Sequence, residues 1–206
     1  MNKKLAFISV LVFISCCRLN SQPSAADTGK ALTIDQVLRV GIEYDLIKPM
    51  IGDWEVYQRV WPKNGAPPIV ASPFKAQRKM TGHFLEETME AKPGTEVEAF
   101  TRKTYLNYNY ANLQWEHIVL DTRYPVMMFE TSYDGLIKNN KVITLYIPAF
   151  IIPPIWDKEI AGNLGKQRRT ITIESQDLNV VQQFWTPPGG KEFLAIEYVY
   201  KRLKKN

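Results

Sequence analysis

From Met50 to Arg202, apolar and polar residues alternate with period two in short runs separated by turn residues. That period places successive side chains on opposite faces and predicts strands that are half buried. The first run shows it best. Trp54, Val56, Gln58 and Val60 share one face, and Glu55, Tyr57, Arg59 and Trp61 share the other. Similar runs follow at Ile69 to Lys79, His83 to Glu90, Val97 to Asn107, Leu113 to Leu120 and Val126 to Tyr133. Val142 to Tyr146, Arg168 to Glu174, Leu178 to Thr186 and Glu192 to Arg202 complete the set. Thr81-Gly82, Pro93-Gly94, Asn139-Asn140 and Pro187-Pro188-Gly189-Gly190 supply the turns. About ten short strands at regular spacing predict an all-β fold. Closure into a single antiparallel up-and-down β-barrel removes the exposed edges an open sheet would leave.

Two segments depart from this rhythm. Thr33 to Lys48 has helical spacing, with Ile34, Leu38, Ile42 and Leu46 on one face and a capping-box pattern at Thr33 and Gln36. It predicts one N-terminal helix, ended by Pro49, that either plugs a barrel end or lies on the outer wall. The second is Pro148 to Trp156, apolar and rich in proline, which argues against a central strand. The Phe150–Trp156 loop is a candidate lid, or a contact surface for a membrane or a protein.

The N-terminus reads as a targeting segment. Lys3 and Lys4 precede an apolar run from Leu5 to Ser15 that is too short to span a bilayer. Residues 1–21 are expected to be a signal peptide, 22–30 a linker and 31–206 a single barrel domain with its helix. The chain is therefore expected to be exported, to a periplasm or beyond. Two cleavage readings stay open. Phe13-Ile14-Ser15-Cys16 resembles a lipobox and would anchor the chain by lipid on Cys16; Leu19-Asn20-Ser21 resembles an ordinary cleavage site. The second is preferred because Phe13 suits a lipobox poorly. Cys16 and Cys17 are the only cysteines, so ordinary cleavage leaves a barrel without disulfides or thiolate chemistry.

Charge adds little. Of the formal net charge of +5, Lys3, Lys4 and Arg18 account for three, which leaves +2 on the remainder. No basic stripe interleaved with aromatics points to nucleic acid. Neither a zinc or calcium motif nor a nucleotide or nucleophile-elbow motif occurs, so no cofactor and no metal is expected. Glu86 and Glu87 are neighbours in a strand and point to opposite faces, so they make no catalytic dyad. His117 shares a face with Trp115 and Val119. If that face is interior, His117 is a hydrogen-bonding ligand contact, a haem ligand or a base; otherwise it is a structural histidine.

Several motifs in order resemble one family. They are Met50-Ile51-Gly52-Asp53-Trp54-Glu55, Trp61-Pro62 with Gly65-Ala66-Pro67-Pro68, and Met80-Thr81-Gly82-His83-Phe84-Leu85-Glu86-Glu87. Pro188-Gly189-Gly190-Lys191-Glu192-Phe193 and Ile196-Glu197-Tyr198 close the series. On these the chain resembles the bacterial domain-of-unknown-function family 1579, whose members look calycin-like. His83 stands where the family has Arg, and the segment around Pro153 looks like an insertion. The resemblance implies that Trp54 closes one barrel end under a basic residue of the last strand, Arg202 or Lys201. It carries no activity.

Three functions are ranked from these features. The first is binding of a small apolar ligand in the barrel, with Trp54, Tyr105, Trp115 and His117 as candidate contacts. The second is an envelope interaction module with a filled barrel that docks through the Phe150–Trp156 loop. The third is a cavity enzyme using His117.

Overall fold

The computed structural model describes residues 33–37, 41–71, 73–132, 141–152 and 161–204. The expected signal peptide, linker and lipid site at Cys16 lie outside these residues, as do Asn139-Asn140 and the Pro153–Trp156 part of the apolar loop.

Eleven strands are described. They are β1 Gly52–Val60, β2 Ile69–Val70, β3 Phe74–Thr81, β4 Phe84–Ala91, β5 Thr101–Asn109 and β6 Gln114–Asp121. β7 Tyr124–Thr131, β8 Val142–Ile151, β9 Leu164–Ile173, β10 Leu178–Thr186 and β11 Phe193–Arg202 follow. Consecutive strands pair antiparallel, except that β3 pairs with β1 rather than β2, and β11 returns to β1 over seven positions, from Trp54↔Arg202 to Val60↔Ile196. The result is a closed ten-stranded up-and-down barrel, calycin-like, with β2 as a short extra strand on β1.

The helical region is shorter than its periodicity predicts. It forms α1 Ile34–Val37 and α2 Ile42–Ile47, then one 3₁₀ turn at Lys48–Met50. Gly41 between them is extended, and its N–H donates to Tyr110 Oη at 2.7 Å, so no single helix runs through. The buried face also differs from the expected one: Tyr44, Ile47 and Met50 enter the core, whereas Ile34 is 68% exposed. Tyr44 Oη donates to the His83 carbonyl at the β3–β4 turn. The segment is thus a plug in the barrel end that carries the start of β1.

Trp54 locks that plug. It is fully buried, and its indole N–H donates to the Met50 carbonyl at 2.9 Å. Arg202, its cross-strand partner, holds its guanidinium 4.3 Å above the indole centroid. The same guanidinium donates to the carbonyls of Pro49, Ile51 and Gln176. The barrel-end closure implied by Gly-x-Trp is therefore formed, by Arg202 rather than Lys201. Gly52 is required here twice over: its φ is +136°, and a Cβ would lie 2.2 Å from Arg202 Nη1.

β8 extends further than its prolines predict. It continues through Pro148 to Ile151, with a bulge between Ile147 and Phe150. Proline is tolerated because, among the described residues, β7 and β8 pair at Thr131↔Tyr146 and no ladder position is recorded at Pro148, so the missing N–H interrupts none there. Beyond Ile151 the two strands stay paired, with Ile152 N donating to Asn163 O and Gly162 N to Ile152 O.

Candidate functional site

Barrel closure puts one face of every strand inside. The interior positions include Val56 and Phe74, as apolar alternation predicts, but also a belt of charges. Arg78, Glu87, Arg102, His117, Glu130 and Arg169 are all buried. Each sits on the inward face because its neighbours two residues away are core, as in Leu85-x-Glu87-x-Met89 and Arg169-x-Ile171-x-Ile173.

The belt has two centres. Around Glu87, Arg78 Nε donates to Oε2 at 2.7 Å, Tyr200 Oη donates to Oε1 at 3.3 Å, and Arg102 Nη2 stands 3.6 Å from Oε1. Arg78 stacks over the Tyr200 ring at 3.8 Å, and Arg102 over Tyr198 at 4.8 Å. Around Glu130, which is 1% exposed, Gln167 Nε2 donates to Oε1 at 2.6 Å. His117 Nδ1 and Arg169 Nε each lie 2.7 Å from Oε2. A carboxylate accepts only, so the His117 proton sits on Nδ1. With its amide oxygen turned to the guanidinium, Gln183 accepts from both Arg169 Nη atoms at 3.0 and 3.1 Å.

These contacts set the charges. Burial acts to raise the Glu130 pKa, but Arg169 and His117 overcome it and hold the carboxyl at about 2. Glu87 is likewise below its usual range: burial opposes this, and Arg78 and Arg102 prevail. Burial pushes His117 below its ordinary value despite Glu130, so the imidazole is neutral. The consequence for stability has one sign. All three groups bind protons more weakly folded than unfolded, so stability falls as pH falls. The loss begins below about pH 6.5, the ordinary value of His117, and steepens below about 4.5, that of the two glutamates. Urea midpoints taken from neutral pH downward are expected to decrease monotonically. A midpoint that rises on mild acidification would contradict a neutral His117.

The belt leaves little room. The central cavity has a volume of about 20 Å³. That accommodates roughly one water-sized occupant. His117 does stand beside a carboxylate, as a general base would, but an organic substrate has no space next to it. Trp54, Trp115 and His117 all project inward, and each is packed core rather than the wall of a large cavity. Trp115 meets Tyr108 edge to face at 5.3 Å. Tyr105 belongs to the other side: on β5 the inward positions are Arg102, Thr104, Leu106 and Tyr108, so Tyr105 lies on the outer wall opposite Glu86 and Ile118. Its aromatic character suggested an interior position that the strand period gives to its neighbours.

A second cavity opens at the barrel mouth opposite the plug. It has a volume of about 280 Å³ and is walled by Phe150, Ile152, Trp185, Pro187 and Phe193. Lys63 and Lys191 stand on its rim. Phe150 and Trp185 pack at 5.2 Å. The indole N–H of Trp185 donates to Gln167 Oε1 at 3.0 Å, and Gln167 in turn donates to Glu130, so the pocket floor is hydrogen-bonded to the charged belt. Among the described residues no group of three or more His, Cys, Asp or Glu side chains is placed to hold a metal ion.

Fold and site together define a calycin-like barrel with a charge-filled centre, a plugged end and an apolar mouth. Residues 41–202 match the family model described as Protein of unknown function (DUF1579), and the chain belongs to that family. No curated protein matches the chain significantly. Among solved structures, a redesigned β-barrel covers 84% of this chain and all of its own length at 10% identity, with a TM-score of 0.35.

Proposed function

We propose that this protein binds a small amphiphilic ligand in the mouth pocket, with an apolar body against Phe150, Trp185 and Phe193 and an anionic group at the lysine rim. The observation that carries this reading is the contrast between the cavities: about 280 Å³ with aromatic walls at the mouth, against about 20 Å³ lined by charges at the centre. The larger volume is near the lower end for ligand pockets, and few polar groups in an apolar wall is their usual composition. Export is part of the proposal: Lys3, Lys4 and the apolar Leu5–Ser15 run support a chain that works outside the cytoplasm.

The test is titration with 1-anilinonaphthalene-8-sulfonate, which has an apolar body and one anionic group, followed by displacement with decanoate. Saturable fluorescence enhancement on the native protein is expected. Phe150→Asp is expected to weaken it at least tenfold, because a charge is forced into the apolar wall. Lys191→Glu, at an exposed position, is expected to weaken it several-fold. Absence of saturable binding, or binding indifferent to both substitutions, overturns the reading.

A further inference from the structure

The charged belt does not balance. Among the described residues the barrel interior holds three guanidinium groups, Arg78, Arg102 and Arg169, against two carboxylates, Glu87 and Glu130. The remaining inward acid, Asp121, faces Arg102 across the β5–β6 pair but is shared with a fourth guanidinium, that of the more exposed Arg123. Arg123 occupies both of its oxygens, with Nε at 2.9 Å from Oδ1 and Nη2 at 2.6 Å from Oδ2. Glu87 is shared between two arginines: Arg78 and Tyr200 donate to its oxygens, and Arg102 Nη2 stands 3.6 Å from Oε1, so its single charge offsets only one of them. His117 is neutral and offsets nothing.

The surplus positive charge has a position. Arg78 Nη1 and Arg102 Nε are fully buried and have no hydrogen-bond acceptor among the protein's atoms; Arg169 Nε, beside them, makes no well-directed hydrogen bond either but is ion-paired with Glu130. Arg78 and Arg102 both border the central cavity, together with His117, Arg169, Tyr200 and the carboxylate-bearing Glu87, which is already paired with Arg78. A single uncompensated charge in a closed low-dielectric interior is strongly unfavourable, and arginine cannot escape by losing its proton. Tyr200 cannot supply the missing negative charge. Burial and Glu87 push its hydroxyl further from ionisation.

We propose that the centre of the barrel is a buried monoanion site, sized for chloride, in which Arg78 Nη1 and Arg102 Nε are the donors. Size selects the occupant. The cavity of about 20 Å³ takes a water or a monatomic halide, which is only slightly larger, and excludes phosphate, sulfate or a carboxylate with a tail. Charge then favours the halide over water, because water fills the donors' needs without neutralising the surplus. The site is separate from the mouth pocket, and neither depends on the other being occupied.

The test uses the whole barrel, unfolded and refolded in halide-free buffer so that a trapped ion is removed. Thermal unfolding is then followed at fixed ionic strength as sodium chloride or bromide replaces sodium gluconate. The midpoint is expected to rise saturably, by roughly 5 °C or more at a hundredfold excess over Kd. Arg102→Gln removes one donor and the surplus charge, and it is expected to unfold at a midpoint indifferent to halide. Because that variant can fail to fold, crystals of the native protein grown in sodium bromide give an independent readout. An anomalous bromine peak beside Arg78 and Arg102 supports the site. A barrel centre without such a peak, with a midpoint that is the same in every salt, overturns it and leaves water as the occupant.

Discussion

Glu130→Gln is expected to lower folding stability by about 3–5 kcal/mol, the cost of removing one partner from a buried ion pair. The substitution barely changes shape, so the loss reads charge rather than packing. Glu130 accepts from His117 and Gln167 and is ion-paired with Arg169, at 2.6–2.7 Å. With a neutral amide in its place, Arg169 keeps only Gln183 as a partner, and the interior surplus rises by one further charge. The amide NH₂ would also face the donors of His117 or Gln167. A urea titration checks it through the midpoint at constant slope. The double variant Glu130→Gln with Arg169→Met is expected to recover part of the loss, since replacing both ions by neutral groups is far cheaper than orphaning one. A single-variant loss below about 1 kcal/mol would mean that Glu130 does not compensate Arg169.

Trp54→Ala is expected to cost a comparable amount, about 3–5 kcal/mol, through a different mechanism. The fully buried indole leaves a void between β1 and the plug that Ile47 and Met50 cannot fill without moving. The Met50 carbonyl loses its donor, and Arg202 loses the ring beneath it. Trp54→Phe separates these contributions. It keeps an aromatic face for Arg202 but drops the hydrogen bond, and it is expected to lose clearly less than the alanine variant. Chemical denaturation of both variants decides the matter; equal losses would show that the indole N–H, not the ring, holds the plug.

Much of the fold was legible because barrels advertise themselves through period two. The Gly52-x-Trp54 start and the basic end of the chain pointed to one closure, and Trp54 and Arg202 do meet across β1 and β11. The charged interior is harder to read, because charged strand residues ordinarily face water. Glu87 and Glu130 face inward because a closed barrel internalises one face of each strand regardless of which residues occupy it, and opposite charges on other strands meet them there. A signal existed: Glu87 shares its face with Leu85 and Met89, and Arg78 with Ala76. Tyr105 shows the converse, an aromatic ring whose strand parity places it outside. The mouth pocket had no sequence signature. Its wall joins Pro62, Phe150, Trp185 and Phe193, which lie far apart along the chain and meet only when β11 closes on β1.

Ligands are expected to bind at the mouth while the charged centre stays closed. Amide and indole shifts of the ¹⁵N-labelled barrel, followed by NMR during a decanoate titration, test it most directly. Saturable shifts are expected at Ile152, the Trp185 indole, Lys191 and Phe193, with Thr104, His117 and Tyr200 unmoved. Shifts centred on Thr104, His117 and Tyr200, with the mouth silent, would contradict it, because the belt would then have to open to admit the ligand.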